Sequence, residues 1–187
     1  MTKQIEVEYS CRFSKEEHDK LLSFLIENGR DLGQDDKNVY FFTLPDKILK
    51  VTDNVSKGTA KITTKLSKIG HGSSFEEIEF PISRSDVEKA VILFKLLGFK
   101  DVHDSFQGRR NFEYKGVEIA VKYSDMWGYH AELEIVIDNE EKKEEADQKI
   151  SKIAGEIGVT LMTEEDLRKF ITEKEDELKL ASKKEGK

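Results

Sequence analysis

The chain has 187 residues, 37% hydrophobic and 37% charged, and its 31 basic and 38 acidic residues leave a net charge of −7. This length is enough for one hydrophobic core, and the acidic balance argues against a general DNA-binding surface. The single cysteine excludes an internal disulfide, and no cysteines or histidines have zinc-ligand spacing. The absence of a signal peptide or membrane-spanning run predicts a cytoplasmic protein without membrane contact. With the acidic balance, no nucleic-acid partner is expected.

The first predicted elements are a strand and a helix. Residues 3–13 alternate between apolar and polar side chains, which is typical of a half-buried strand. Ser14 and Glu17 have the spacing of a capping box, and the helix that they open ends at Gly29. Residues 30–39 are polar and are predicted to form a loop.

The middle of the chain predicts strands around a second helix. Residues 39–54 read as a hairpin that turns at Pro45–Asp46, and residues 59–70 and 73–83 as two further strands. Ser85 and Glu88 are predicted to cap the second helix. Four strand candidates follow, at 100–108, 109–116, 117–128 and 129–138.

The C-terminal region predicts two helices. Asn139 precedes the first, and Thr163 with Asp166 caps the second. We expect residues 1–138 to form the main domain, residues 139–182 to be helices packed on it, and residues 183–187 to be a disordered tail. Because strands and helices do not alternate regularly, the sheet should be mainly antiparallel, in an α+β fold.

One face of the predicted strands is apolar, and the other carries charges of both signs. Two arrangements are open from this pattern. In the first, each sheet packs its apolar face on helices and exposes its charged face to water. In the second, the sheet curls so that the charged faces line a tunnel and helices cover the outside. The charged faces comprise Glu6, Glu8 and Arg12; Lys61, Thr63 and Lys65; Glu77 and Glu79; Glu118 and Lys122; and Glu132 and Glu134.

A tunnel of mixed charge suits a metal–polyphosphate. A triphosphate carries about four negative charges at neutral pH, and lysine and arginine bind its oxygens directly. Carboxylates instead bind Mg²⁺ or Mn²⁺, which bridges to the phosphates. A bare anion would favour a lining of cations alone, and a neutral ligand would favour neither charge.

Residues 3–138 resemble the CYTH superfamily, the triphosphate tunnel metalloenzymes, which include class IV adenylate cyclases and thiamine triphosphatases. The resemblance lies in the order of the motifs, from an acidic first strand to a last strand with paired glutamates. The motifs are EYSCRF at 8–13, YFFTLPDKIL at 40–49, ITTKL at 62–66, EEIEF at 76–80, KLLGF at 95–99, RRNFEYKGVEIAV at 109–121 and WGYHAELE at 127–134.

The resemblance implies an eight-stranded antiparallel β tunnel or barrel with helices packed outside. It also implies turnover of a triphosphate-containing small molecule (a nucleotide, thiamine triphosphate or inorganic triphosphate) with Mg²⁺ or Mn²⁺ as cofactor. The implied metal ligands are Glu8, Glu77, Glu79, Glu132 and Glu134. The implied phosphate-binding residues are Arg12, Lys50, Lys61, Lys65, Arg109 and Lys122, of which Arg12 and Lys65 would also be catalytic.

The first strand fits the family in two registers. One places Glu8, Ser10 and Arg12 at the family's two glutamates and lysine, and the other places Glu6 and Glu8 at the glutamates. Further departures are Thr52 in place of an arginine and Lys122 in place of an aspartate.

Several alternatives stay open at this point. The chemistry can be hydrolysis or the cyclisation of ATP to cyclic AMP, and a protein that binds nucleotide or polyphosphate without turnover is the alternative function. The apolar stripe of the helix at 146–157 predicts packing across the outside of the barrel, with a dimer interface as the second possibility. The chain is therefore expected to be a monomer or a homodimer.

Overall fold

A computed structural model of the chain describes residues 5–44, 47–65, 74–99 and 102–185. Its elements are β1 Ile5–Arg12, α1 Lys15–Asn28, β2 Arg30–Gln34, β3 Lys37–Thr43, β4 Ile48–Asn54, β5 Thr59–Lys65, β6 Ser74–Ile82, α2 Val87–Leu96, β7 Val102–Tyr114, β8 Val117–Ser124, β9 Gly128–Ile137, α3 Lys143–Ile157 and α4 Glu164–Glu185.

The strands form a curled antiparallel sheet with eight positions. The order around the sheet is β7, β3, β4, β5, β6, β1, β9 and β8, and β8 pairs again with β7. The short strand β2 adds no ninth position because it continues the register of β3 along β7: Gln34 opposes Arg110, and Lys37 opposes Gln107. The predicted α+β fold with an eight-stranded antiparallel tunnel is therefore confirmed.

Helices cover the apolar outer face of the sheet in two clusters. Around β1, β7, β8 and β9, the buried Leu133 belongs to a cluster that receives Leu25 from α1 and Ile150 from α3. On the opposite side, Phe42 of β3 packs in a cluster with Val91 of α2. The apolar faces thus point outward, and the charged faces point into the tunnel.

Shortening Ile150 to alanine is expected to lower the free energy of unfolding by about 3 kcal/mol. The side chain is completely buried, and its removal leaves a cavity between α3 and the strands. Denaturant unfolding measures the loss. Lys152→Ala on the exposed face of the same helix is the control and should change stability by less than about 0.5 kcal/mol. A loss below about 1 kcal/mol at Ile150 would contradict the packing of α3 on the sheet.

Two sequence predictions about strands are wrong. Residues 30–39, predicted as a loop, contain β2 and the start of β3, whose backbones pair with β7. The segments 100–108 and 109–116 are predicted as two strands, but Val102–Tyr114 form the single strand β7, in which Gly108 stays in the ladder opposite Tyr123. A strand that faces a polar interior does not need to alternate between apolar and polar residues, so its sequence resembles that of a loop.

The predicted helix caps are found at two helices and not at the third. Ser14 forms a capping box at the start of α1, and the side chains and backbone of Thr163 and Asp166 exchange hydrogen bonds before α4. The cap predicted at Ser85 and Glu88 is wrong, because residues 84–86 form a short 3₁₀ turn and α2 begins at Val87 without a side-chain cap. The predicted turn at residues 45–46 lies outside the described residues.

The two predicted C-terminal helices are α3 and α4. The stripe predicted on α3 faces the sheet, with Ala146, Ile150, Ile153 and Ala154 buried. The last helix continues to Glu185 and so extends into residues 183–187, for which the sequence predicts disorder. In the described part of the chain, no helix has the length and apolar character that a membrane crossing requires.

Candidate functional site

The inward faces of the strands enclose a cavity of about 820 Å³. Because positive and negative side chains are equally frequent among its described lining residues, the cavity is suited to a polyanion bound together with divalent cations. The acidic residues are Glu6, Glu8, Asp35, Glu77, Glu79, Glu118, Glu132, Glu134 and Glu164, and the basic residues are Lys37, Lys47, Lys50, Lys57, Lys61, Lys65, Arg109, Lys122 and Lys174.

Three of the carboxylates form a cluster, which we call the acidic cluster: Glu6 and Glu8 of β1 and Glu134 of β9. They offer one oxygen each, and these oxygens lie within 4.8 Å of one another. The cross-strand pairing of Glu8 with Glu134 brings the two strands' carboxylates together. Hard divalent cations such as Mg²⁺ and Mn²⁺ prefer oxygen ligands of this kind, so the donor set fits either ion.

Burial and electrostatic repulsion raise the pKa values of two members of the acidic cluster, Glu134 and Glu6. Burial, followed by the charges of Glu6 and Glu8, raises the pKa of Glu134 to about 8. Burial also raises the pKa of Glu6, against the opposing charge of Lys65, and the charges of Glu77 and Glu8 raise it further. Glu134 therefore holds a proton near neutral pH that a bound cation would displace.

Lys65 lies between the acidic cluster and β6. Its Nζ is 3.0 Å from Glu77 Oε1, 3.4 Å from Glu8 Oε2 and 3.6 Å from Glu6 Oε2. Burial disfavours the ammonium ion, but the surrounding carboxylates outweigh burial and raise the pKa of Lys65 well above its ordinary value. Lys65 is thus a permanently charged donor inside the tunnel.

Glu132, predicted as a metal ligand, is paired with cations of the chain itself. Its Oε2 lies 2.7 Å from Lys122 Nζ and 3.7 Å from an Arg109 guanidinium nitrogen. Burial opposes ionisation of Glu132, yet Lys122 and Arg109 hold its pKa well below the ordinary value. Glu132 is therefore ionised and already neutralised.

The glutamates of β6 are also paired. Glu77 contacts Lys65, and its Oε1 lies 3.7 Å from Lys50 Nζ. Glu79 forms an ion pair with Lys61 in which both side chains are partly exposed. Of the five predicted metal ligands, the structure places Glu8 and Glu134 in the acidic cluster, where Glu8 also lies 3.4 Å from Lys65 Nζ. Glu77, Glu79 and Glu132 lie outside this cluster and pair with lysine.

A second network, around Asp35, is missing from the sequence predictions. Asp35 is 3% exposed, and its carboxylate lies 2.8 Å from both Lys37 Nζ and Lys57 Nζ. It also accepts a hydrogen bond of 2.6 Å from Asn54, and Arg109 Nε lies 3.4 Å away. The sequence analysis missed these residues because it assigned 30–39 to a loop. Only the pairing of β3 with β7 turns Lys37 toward the cavity.

Arg12, predicted to be catalytic and to bind phosphate, does not line the cavity. Its Nε donates a hydrogen bond of 3.1 Å to the Trp127 carbonyl, and its guanidinium carbon lies 4.0 Å from the centre of the Phe170 ring. Phe170 of α4 also stacks edge-on against Trp127. These contacts hold the exposed Arg12 against Trp127 and Phe170, which themselves line the cavity.

The two registers of the first strand can be compared directly with the geometry. Glu6, Glu8 and Ser10 all line the cavity, and Ser10 is buried opposite Glu132. The acidic pair of β1 is therefore Glu6 with Glu8. Thr52, which stands at an arginine position of the family, is also buried and lines the cavity.

His130 and Arg110 have structural surroundings. His130 is buried against Trp127, and burial and Lys122 lower its pKa to about 4, so its imidazole is neutral at pH 7. Arg110 points to the outside and forms an ion pair with Asp31. Adjacent arginines on β7 thus lie on opposite faces, with Arg109 inside.

Comparison with known proteins agrees with this architecture. A family model for the CYTH domain matches residues 4–171. The PH1012 protein of Pyrococcus horikoshii has a similar structure, with a TM-score of 0.70 and 27% identity over 87% of this chain and 93% of that one. No curated protein matches the chain.

More distant structures share the fold. An adenylate cyclase-like protein of Vibrio parahaemolyticus has a TM-score of 0.68 and 17% identity over 91% of this chain and 99% of that one. The adenylyl cyclase-like protein HpAC1 of Hippeastrum, described as having a dominant triphosphatase activity, has a TM-score of 0.60 and 15% identity over 84% of this chain and 89% of that one.

Proposed function

The chain belongs to the CYTH domain family, and we propose that its tunnel hydrolyses a triphosphate-containing small molecule with the help of bound Mg²⁺ or Mn²⁺. The observation that carries the proposal is the arrangement of charge in the cavity. The acidic cluster of Glu6, Glu8 and Glu134 lies next to Lys65, and further basic residues line the same space.

The acidic cluster would hold the metal ion. When bound, a divalent cation neutralises phosphate oxygens and increases the electrophilicity of the phosphorus. The two other members of the predicted metal set on β6, Glu77 and Glu79, would instead orient Lys65 and Lys61, with which they form ion pairs.

The basic residues would bind the phosphates and stabilise the charge that develops during transfer. Lys50, Lys61, Lys65 and Arg109 all line the cavity. Lys65 is the proposed catalytic residue because it is nearest to the acidic cluster and remains charged. Such preorganised donors act strongly in a buried site, since phosphoryl transfer depends mainly on positioning and charge stabilisation.

Hydrolysis and cyclisation are distinguished by products. Inorganic triphosphate, ATP and thiamine triphosphate should each be incubated with Mg²⁺ or Mn²⁺, while phosphate release and cyclic AMP are measured in parallel. Metal-dependent phosphate release supports the proposal, whereas cyclic AMP without phosphate release would favour a cyclase. Binding without turnover would identify a non-catalytic polyphosphate-binding protein. The cytoplasmic location and the lack of a nucleic-acid partner stay predictions.

Arg109 and Arg110 provide a matched pair of variants for this assay. Arg109→Gln removes an inward guanidinium and is expected to weaken triphosphate binding at least about tenfold, the typical effect of losing a charge-assisted contact. Arg110→Gln removes the same charge from the outer surface and should leave binding within about twofold. Equal losses in the two variants would contradict the placement of the phosphates inside the tunnel.

A further inference from the structure

The carboxylates near the proposed metal site differ in the cations that they contact. In the described part of the chain, Glu134 forms no ion pair, and the rest of the acidic cluster shares Lys65. Glu132, two residues before Glu134 on the same strand face, has two cations on the single oxygen Oε2. One cluster thus shares a single lysine, whereas the adjacent carboxylate already carries two cations.

The position of Lys122 results from the sheet. On β8, Lys122 opposes Arg109 of β7 on one side and His130 of β9 on the other. Lys122 is 5% exposed, and its Nζ is 2.7 Å from Glu132. Glu132 is therefore the anion that balances this buried ammonium.

A second metal ion near the acidic cluster would need Glu132. Sites that bind two metal ions for phosphoryl transfer hold them about 3.5–4 Å apart, and both ions need carboxylate ligands. Coordination by Glu132 would displace Lys122 and leave a buried ammonium without its partner, which is unfavourable. The ammonium ion of Lys122 supplies the positive charge that a second metal ion would otherwise supply at this position.

We propose that Lys122 replaces a second divalent cation, so that the tunnel binds one metal ion, at Glu6, Glu8 and Glu134. This inference rests on the proposed function, because it assumes that the acidic cluster binds metal. Lys122 is then a positioning residue that keeps Glu132 out of the metal's coordination and keeps one positive charge at a constant place beside the phosphates.

The first test is the number of Mn²⁺ ions bound per metal-free chain, measured by titration calorimetry and by the electron paramagnetic resonance signal of free Mn²⁺. We expect one ion. Two ions would overturn the inference about Lys122 but leave the proposed function intact. No bound ion would overturn both, and it would place the failure at the acidic cluster.

The second test removes the ammonium ion. Lys122→Gln leaves Glu132 with Arg109 alone, and this variant is expected to bind a second Mn²⁺ ion with a dissociation constant at least about tenfold above that of the first. Lys142→Gln, which breaks an exposed ion pair with Asp138, makes the same change of charge and should still bind one ion. A single ion in Lys122→Gln would overturn the inference.

A third measurement decides the question even if Lys122→Gln does not fold. Glu132→Gln should change the Mn²⁺ dissociation constant by less than about threefold, because Glu132 is not a ligand, whereas Glu134→Gln should raise it at least about tenfold. Equal losses in the two variants would show that Glu132 coordinates the metal and would overturn the inference.

Discussion

Glu134→Gln is expected to lower metal-dependent triphosphate hydrolysis at least about 100-fold while making the metal-free protein more stable. Mutation of a group that only supports a metal ligand already reduces metal affinity or activity by about 10–100-fold, so loss of the ligand itself should cost at least as much. Stability should rise because the amide, unlike the carboxyl group of Glu134, never carries a charge beside Glu6 and Glu8 in this buried position. Opposite changes in activity and stability would identify Glu134 as a residue retained for function.

The effect of Glu134→Gln on stability should depend on pH. The pKa of Glu134 is raised to about 8 in the folded state, so its protonated form contributes stability at low pH that is lost as the pH rises from about 4 through 8. Glu134→Gln has no carboxyl group to titrate at this position, so its stability does not fall in this way as the pH rises. In EDTA, its advantage over the wild type should therefore be near zero at pH 4 and reach about 1–3 kcal/mol at pH 8.

The control for Glu134 is Glu88→Gln, which removes an exposed carboxylate from α2. Activity of this control should stay within about twofold of the wild type, and its stability should change by less than about 0.5 kcal/mol. If Glu134→Gln kept full activity at saturating Mn²⁺, the acidic cluster would not be the metal site.

Asp35→Asn is expected to destabilise the folded protein by about 4 kcal/mol at pH 7. The buried carboxylate balances Lys37 and Lys57 and contacts Arg109, so the neutral amide leaves these cations without their counter-charge. Burial opposes ionisation of Asp35, but the two lysines and Asn54 lower its pKa well below the ordinary value. Denaturant unfolding at several pH values tests the prediction.

The sign of the pH dependence at Asp35 is opposite to that at Glu134. A carboxylate with a lowered pKa contributes stability that is present above its ordinary pKa of about 4 and is lost as the pH falls further. The difference between wild type and Asp35→Asn should therefore be largest between pH 5 and 7 and shrink below pH 4. Asp31→Asn is the control, because its pair with Arg110 is exposed and should contribute about 1 kcal/mol or less. Equal losses in both variants would contradict the buried network.

The local sequence determined most of the strands, the capped start of α1 and the shared faces of the paired glutamates. Alternation along β1 placed Glu6 and Glu8 together on one face, and alternation along β9 did the same for Glu132 and Glu134. Such patterns are readable because side chains of a strand alternate with a period of two. The order of the motifs then favoured the tunnel over an open sheet.

The tertiary structure decided which charges meet. The ladder between β1 and β9 brings Glu8 to Glu134, although 125 positions separate them, and the pairing of β8 with β9 places Lys122 near Glu132. Periodicity specifies a face of the strand and contains no information about the neighbour across the ladder or the tunnel. The Asp35 network, the exclusion of Arg12 from the cavity and the separation of the acidic cluster from Glu132 therefore depend on strand register and closure of the sheet.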